Sequence, residues 1–396
     1  MNKIEIAKGV YNVGAVDWDM RDFHGFTTNR GVTYNSYLIV DEKVCLIDTV
    51  KAPFAAENIE RISEIIDPTK IDYVITNHVE PDHSSGLPAL MQKAPQAKVV
   101  VTANGKTEVL KHYQQEYDFM VVKEGDVLDL GKNKLHFVPL PMVHWPDSMV
   151  TYLDGEQILF SSDSFGQHIC TSKRFDDEND LDKVMYEAAK YYANILMPLG
   201  KTVSKAVDKT AQMPLKMIAT GHGIIWRSYI DKIVAKYKEW SSGQTKDKVV
   251  IAYDSMWGST EKMARCILDG VAATGVAVKL YKMSDSDRSE VVMEMLDAGG
   301  ILLGSPTLHN GMLATMGALL IYLKGLKPAN KLAAAFGAYG WAGGAQKDME
   351  ELLKTAGVSL TEGVTLKWVP DKDEMDACFN FGKEFGQKVL ERNQKP

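Results

Sequence analysis

Four potential metal donors fall within six positions of one short stretch, Asn77-His78-Val79-Glu80-Pro81-Asp82-His83-Ser84-Ser85-Gly86. The β-branched and aromatic run Asp72-Tyr73-Val74-Ile75-Thr76 leads into it, so the donors sit on the loop that leaves a buried strand. Two carboxylates and two imidazoles are costly to bury unpaired, and one cation, or more simply two, would satisfy them. Three further apolar runs end in a residue of ligand type. They are Val138-Pro139-Leu140-Pro141-Met142-Val143-His144, Ile158-Leu159-Phe160-Ser161-Ser162-Asp163 and Ile218-Ala219-Thr220-Gly221-His222. Strands of one sheet end along a common edge, so donors distant in sequence can converge there. The expected set is His78, Glu80, Asp82, His83, His144, Asp163 and His222. Seven protein ligands exceed one tetrahedral zinc and suit two ions sharing a carboxylate.

Charge decides which ions. Three carboxylates and a bridging hydroxide balance two divalent cations, whereas a histidine at position 80 would leave the site positive and better suited to polarising a carbonyl. A more anionic shell tolerates the trivalent state, which favours iron over zinc and redox over hydrolysis. His112 and His136 lie inside helix and strand patterns and read as ordinary surface or core residues. His168 follows Asp163 closely, in Phe165-Gly166-Gln167-His168, but acquires no role.

A second group of loops points to a different ligand. Ile251-Ala252-Tyr253 runs into Asp254 and then Ser255, Met256, Trp257, Gly258, Ser259 and Thr260, a hydroxyl-rich turn before a helix. Such a turn offers backbone N–H groups, the positive end of a helix dipole and side-chain hydroxyls to a phosphate. It lacks the Gly-Lys-Ser/Thr of a nucleotide P-loop, so a monophosphate held by neutral donors is expected. Two more strand ends supply clamps for a flat ring: Ser305, Pro306, Thr307, Leu308, His309 and Asn310 after Gly304, and Ala338, Tyr339, Gly340, Trp341, Ala342 and Gly343 after Gly337. Ligands of open α/β sheets lie beyond the carboxyl ends of the strands, where all three loops fall.

The elements that must position these loops divide the chain. Up to about Asp163 it is strand-rich, with runs at Tyr37 to Val40, Val44 to Ile47, Lys98 to Thr102, Leu135 to Val138 and Met149 to Leu153, and helices near Ala55 to Ile66 and Thr107 to Tyr113. That pattern predicts α+β layering. An amphipathic helix over Leu181 to Ile195 and a strand at Met217 to Thr220 follow. The polar stretch Tyr237 to Lys248 marks a boundary, placing one domain at 1–245 and another at 246–396. Beyond it five strands each followed by a helix predict a doubly wound parallel sheet.

The loop His78-x-Glu80-x-Asp82-His83 resembles the His-x-His-x-Asp-His loop of metallo-β-lactamase-fold enzymes, with Glu in place of the second His. The Asp254 to Thr260 turn resembles the flavodoxin phosphate loop, with Met256 and Trp257 where simple flavodoxins commonly carry threonines. Joined in one polypeptide, the two halves resemble the flavodiiron proteins, which reduce dioxygen or nitric oxide. The resemblance spans essentially the whole chain. It implies a metallo-β-lactamase-like αββα sandwich followed by a flavodoxin-like doubly wound five-stranded parallel sheet, two iron ions and FMN. One iron would be held by His78, Glu80 and His144, the other by Asp82, His83 and His222, with Asp163 bridging. By the same resemblance His24, in Arg21-Asp22-Phe23-His24-Gly25-Phe26, and Tyr191, in Tyr191-Tyr192-Ala193-Asn194, stand beside the metals as catalytic groups donating a proton or hydrogen bond. It also implies an external donor, rubredoxin or a reduced deazaflavin, and a head-to-tail homodimer or a dimer of dimers.

Composition bounds the alternatives. A chain of 396 residues with 45% hydrophobic and 24% charged residues reads as an ordinary globular protein of two or three domains. A net charge of −7 argues against a nucleic-acid partner. No apolar run approaches bilayer length and Met1–Ile6 is not a signal peptide, so no membrane association and a cytoplasmic location are expected. Cys45, Cys170, Cys266 and Cys378 are too scattered for a rubredoxin-type site or zinc finger, and the reductant is expected to come from outside the chain. Two rival functions are a zinc hydrolase fused to a flavodoxin-like module and an electron carrier with structural metals.

Overall fold

The computed structural model describes residues 4–394; Met1 to Lys3 of the opening segment and the last two residues of the second predicted domain lie outside it. The chain divides into two compact units. One runs to Tyr191 and resumes over Lys201–Lys238; the other comprises Tyr192–Gly200 and the chain from Glu239 on.

The first unit is a sandwich of two sheets with helices on the outer faces. Its seven-stranded sheet runs, in spatial order, Ile4–Ala7, Val10–Asn12, Tyr37–Val40, Val44–Ile47, Tyr73–Ile75, Lys98–Val101 and Phe119–Val121. The first four strands pair antiparallel and the rest parallel. The five-stranded sheet is Val127–Asp129, Lys134–Pro139, Met149–Leu153, Ile158–Ser162 and Met217–Thr220, antiparallel except for the last, parallel pair. Period-two alternation decides which side chains meet. Tyr37, Ile39, Cys45, Ile47, Ile75 and Val100 point between the sheets, against Leu135, Phe137, Met149, Ile158, Phe160 and Ala219 of the other layer. The intervening Leu38, Leu46, Val74, Val99 and Val101 point outward, onto Ile62, Leu87, Leu90 and Val109 of the covering helices. Strands buried on both faces read as continuous apolar runs, which is why the sequence shows them as short blocks.

The second unit has a parallel sheet in the order Ala277–Lys282, Lys246–Tyr253, Ala298–Gly304, Leu332–Tyr339. The fifth position, expected as a single strand, is shared by Ser359–Leu360 and Val364–Lys367, which pair with successive parts of Leu332–Tyr339. Helices Ser259–Ala272 and Lys372–Asn393 pack together over one face. Their contact is close because Gly270 and Gly382 face backbone: a Cβ would meet Phe379 O at 2.0 Å or Ile267 O at 2.2 Å. The predicted helix over Leu181 to Ile195 is α-helical at Leu181–Tyr191 and widens to a π-turn at Tyr192–Leu196.

Candidate functional site

Four strand ends of the first unit deliver the donors. After Tyr73–Ile75 the chain passes through Asn77, fully buried, whose N–H donates to Asp48 Oδ1 (2.7 Å) and whose Oδ1 accepts from Thr151 Oγ1 (2.7 Å). The loop exit is thereby tied to both sheets. Pro81 starts the short helix Pro81–Ser84, its fixed φ suiting a first helical turn, and that turn carries Asp82 and His83 inward. The strand Ile158–Ser162 ends in a register shift against its parallel neighbour and in Ser162 at φ 49°, which swings Asp163 into the site. Gly221 precedes His222 for a steric reason: a Cβ there would lie 2.9 Å from His83 Cε1 and 3.0 Å from Ser162.

All seven predicted donors meet, in two groups: His78, Glu80, His144 and Asp163, and Asp82, His83 and His222. Asp163 faces both. Its Oδ2 lies 3.0 Å from His144 Nε2 and 3.6 Å from His78 Nε2, its Oδ1 2.9 Å from His83 Nε2 and 3.4 Å from His222 Nε2. Glu80 Oε2 stands 3.1 and 3.3 Å from His144 and His78, and Asp82 Oδ2 3.1 Å from His222. Six of the seven are under 10% exposed, and His144 is nearly so shielded, with a side chain 17% exposed.

Three observations fit the donor set to cations. First, Asp82 Oδ1 is buried without a hydrogen-bond partner, an arrangement folded proteins avoid unless an ion or water fills the gap. Second, the ring nitrogens turned away from the centre are committed on two rings. His78 Nδ1 lies 3.0 and 3.2 Å from the Asp147 oxygens and His222 Nδ1 2.6 Å from the Thr33 carbonyl, which leaves each Nε2 aimed inward. Third, the site calls for positive charge. Burial opposes a charged imidazole at His83 and His144, yet the surrounding carboxylates, Asp82 and Asp163 for one and Asp163 and Glu80 for the other, raise them to about 10 and about 9. Burial likewise opposes ionisation of Asp163, yet His83 and His144 hold it well below the usual carboxylate range.

The flanking residues separate into a near and a buried partner. His24 takes a left-handed conformation (φ 54°) and places Nε2 3.1 Å from Glu80 Oε1, with 64% of its side chain in solvent. Tyr191 is buried, its ring 6.1 Å from that of His222, and burial followed by the charge of Asp163 pushes its phenol well above the ordinary value. His168 packs beside the donor cluster, stacked on Phe26 at 5.3 Å and edge-on to Tyr191 at 4.9 Å and His222 at 5.3 Å. His112 and His136 stay away from the cluster, the latter 3.3 Å from Asp154. Asp147 escaped the sequence reading. The spacing His144-x-x-Asp147, with both residues on the same loop as a donor, was the available signal.

In the second unit the three loops surround a cavity of about 660 Å³. Ser255, Met256, Trp257, Ser259, Thr260, Pro306, Thr307, Leu308, His309, Asn310, Ala338, Tyr339, Gly340, Trp341 and Ala342 line it. Gly258, Ser305 and Gly343 do not. Gly258, at φ 85°, shapes the turn into helix Ser259–Ala272, and its N–H donates to Ser255 Oγ (3.1 Å). Ser305 is buried, its hydroxyl accepting from Leu313 N–H (3.0 Å). Gly343 faces a neighbouring cavity of about 380 Å³. The cavity gains Trp368 and Val369, which sequence reasoning missed. The Trp341 and Trp368 rings lie 6.0 Å apart, and a Cβ at Gly340 would meet the Trp368 ring at 2.9 Å. Trp257 and Trp341 stand 93% and 86% exposed at the rim.

Residues 32–223 match the family described as ODP family beta lactamase, and residues 251–382 match flavodoxin. The chain is 48% identical over 395 residues to a protein of Moorella thermoacetica named nitric oxide reductase, covering 98% of this chain and 99% of the relative. The flavodiiron protein from Giardia intestinalis superposes with a TM-score of 0.97 at 37% identity, covering 100% of this chain and 98% of the other. Rubredoxin oxygen:oxidoreductase from Desulfovibrio gigas does so with a TM-score of 0.96 at 37% identity, over 99% of this chain and 100% of the other. With a β-lactamase-like unit, a flavodoxin unit and relatives matched end to end, the chain belongs to the flavodiiron protein family.

Proposed function

We propose that this protein reduces nitric oxide to nitrous oxide, dioxygen to water, or both, with electrons that an external donor passes to FMN and FMN to a pair of irons. The observation that carries the reading is Asp163, one oxygen turned to each donor group, the arrangement a carboxylate shared by two ions requires. His78, Glu80 and His144 would hold one iron and Asp82, His83 and His222 the other. The names of the relatives, a nitric oxide reductase and a rubredoxin oxygen:oxidoreductase, support the two gases and rubredoxin as a donor; a reduced deazaflavin is the other donor we infer.

A flavin bound in the cavity would supply one- and two-electron chemistry, and an iron pair held by the donor set would supply the reducing equivalents that either gas needs. The chain's own residues do the rest. Asp147 fixes the His78 ring so that Nε2 faces inward, and the Thr33 carbonyl does the same for His222. Both reductions consume protons. His24 Nε2, beside Glu80 and largely in solvent, is placed to bring them in. Tyr191 keeps its phenolic proton and so acts as an O–H donor from the buried side. Around the flavin cavity, the N-terminus of helix Ser259–Ala272 and the hydroxyls of Ser255, Ser259 and Thr260 suit a phosphate, and Trp341 and Trp368 suit the ring.

We further infer working domains at 1–245 for the irons and 246–396 for FMN, a head-to-tail homodimer or dimer of dimers, and a cytoplasmic location. The exposed Trp257 and Trp341 support a partner at the flavin rim. Four unpaired cysteines suit a reducing compartment, and no helix among the described residues is long and apolar enough to cross a membrane. The deciding experiment mixes anaerobically reduced holoprotein with each gas. Reoxidation of the flavin by at least one gas, in protein carrying two irons per chain, is expected; a reduced flavin indifferent to both overturns the proposal.

A further inference from the structure

The three loops around the flavin cavity are not held alike. The two that clamp the ring lock onto each other backbone to backbone. Ser305 N–H donates to the Phe336 carbonyl and Thr307 N–H to that of Ala338, both at 3.0 Å, and a Cβ at Gly337 or Gly344 would collide with the Ser305 or the Asn310 carbonyl. The phosphate turn stands in more open surroundings. A Cβ at Gly258 would meet nothing within 4 Å, and the turn is tied to its neighbours at its two ends. At the far end Thr260 Oγ1 accepts the Ala338 N–H across a long 3.4 Å. At the near end stands Asp254.

Asp254 is 5% exposed and, like Thr315, lies outside the residues that line the cavity. Its N–H donates to the Gly304 carbonyl (3.0 Å), which fixes its backbone beside the neighbouring strand. Its carboxylate faces two ways. Oδ1 accepts the Ser255 N–H (3.0 Å), and the Ser255 hydroxyl in turn accepts the Gly258 N–H (3.1 Å), so the shape of the turn is relayed from Asp254 inward. Oδ2 accepts from Thr315 Oγ1 at 2.6 Å. A hydroxyl-to-carboxylate bond of that length belongs to the charge-assisted class, roughly twice as strong as a neutral one. Thr315 sits in the first turn of helix Ala314–Leu326, whose preceding residue, Leu313, donates its N–H to Ser305 Oγ (3.0 Å). One carboxylate thus joins the phosphate turn to a helix anchored in the ring loops.

We propose that Asp254, held by Thr315, is a positioning residue that presets the phosphate turn and so gives the site its preference for a phosphorylated flavin over riboflavin, the same molecule without the phosphate. The inference rests on the reading of this cavity as a flavin site. Donors arranged before binding need no ordering when the ligand arrives. Without the tie to Thr315, the N–H groups and hydroxyls of the turn have to be ordered by the phosphate itself. The ring loops, fixed against each other, keep their shape. The loss therefore falls on the phosphate and spares the ring.

The test titrates the full chain, stripped of flavin, with FMN and with riboflavin, and reads the quenching of flavin fluorescence. The ratio of the two affinities within one variant cancels any loss of folded protein. Thr315→Val, of the same shape as threonine, is expected to weaken FMN binding about tenfold, the order expected for a lost hydrogen bond to a charged group, and riboflavin binding by less than about twofold. Thr315→Ser keeps the hydroxyl and is expected to hold the ratio within about threefold of the parent. Asp254→Ala is expected to lower the ratio at least as far as Thr315→Val does, and the two changes together no further than Asp254→Ala alone, because they break one shared bond. Equal losses for the two flavins, no loss in Thr315→Val, or a Thr315→Ser loss as large as that of Thr315→Val overturns the inference. So does tighter FMN binding in Asp254→Ala, which would mean that the carboxylate repels the phosphate more than it orders the turn. Parent protein that binds neither flavin overturns the flavin reading and this inference together; parent protein that binds both equally tightly overturns this inference alone.

Discussion

The rim of the first unit and the rim of the second solve opposite problems. At the metal rim, charged side chains are buried and every one meets another: three carboxylates and four imidazoles stand within ion-pairing distance, under 4 Å. At the flavin rim the lining is loops and aromatic faces, with two tryptophans almost wholly in solvent and a hydroxyl-rich turn that carries no cation. A site for small hard ions has to be fixed from within the fold, because ligand geometry tolerates little error. A site for a large flat ring is shaped by backbone that glycines allow to approach and by rings that stack. Mutations should therefore act in an all-or-none way at the first rim and by degrees at the second.

Asp163→Ala tests the first half of that contrast most severely. Losing the one residue that faces both groups should cost at least one iron per chain and lower gas reduction by more than about a hundredfold, beyond the ~10–100-fold typical of residues that only orient a ligand. Metal analysis alongside the flavin-reoxidation assay reads it. A variant retaining two irons would show that the buried donors are redundant, and the contrast would fail.

The second unit buries a lysine, and it handles it differently. Lys331, 2% exposed, donates from Nζ to the Leu296 and Ala298 carbonyls at 3.0 and 2.9 Å instead of forming an ion pair. Burial pulls its pKa down to about 7. The unfolded chain then holds a proton that the folded chain has lost between about pH 7 and the ordinary lysine value near 10.5, so stability rises with pH across that window and levels off above it. The slope approaches ~1.4 kcal/mol per pH unit, about 2–3 kcal/mol between pH 7.5 and 9.5. Hydrogen exchange in the strands Ala298–Gly304 and Leu332–Tyr339 should show the rise in the parent protein and its absence in Lys331→Met. Equal slopes would mean that this lysine is charged in the fold.

At the flavin rim the expected effects are graded. Trp368→Ala should weaken FMN binding by roughly tenfold, in keeping with about 0.5–1.5 kcal/mol for an aromatic contact beyond its buried area, and leave iron content unchanged. A flavin titration of the apo-flavin protein decides it; iron loss in the same variant would contradict the independence of the two rims.

The same contrast explains what could be read from the residues alone. The grouping of the seven candidate donors was legible because chemistry is concentrated in residue type, with His and carboxylates at the ends of apolar runs, and strand ends converge by geometry. The flavin loops were legible through alternation of strand and helix, and most of the residues expected on them line one cavity, with Ser305 and Gly343 on the cavity beside it. Trp368 and Val369 were not legible, since they follow the last strand and reach the cavity only because Val364–Lys367 pairs with Leu332–Tyr339. Asp147 was hidden for a related reason: a carboxylate that orients a ligand has no pattern of its own, only proximity. The split of the fifth sheet position and the π-turn after Tyr191 depend on pairing and packing that no periodicity encodes.

The smallest effect is expected where the two kinds of rim blur, at His24, which touches a buried metal donor from a largely exposed position. An interaction with most of one partner in water contributes little to binding, so His24→Ala should keep both irons and FMN. If His24 brings protons to Glu80, the gas-reduction rate should still fall by about twofold to fivefold, and a small added proton donor such as imidazole should restore it. A fall that added donors leave untouched would assign His24 to shaping the Glu80 loop. A loss of iron would make it part of the buried rim after all, and the division between a site fixed from within and a site open to solvent would have to be drawn outside residue 24.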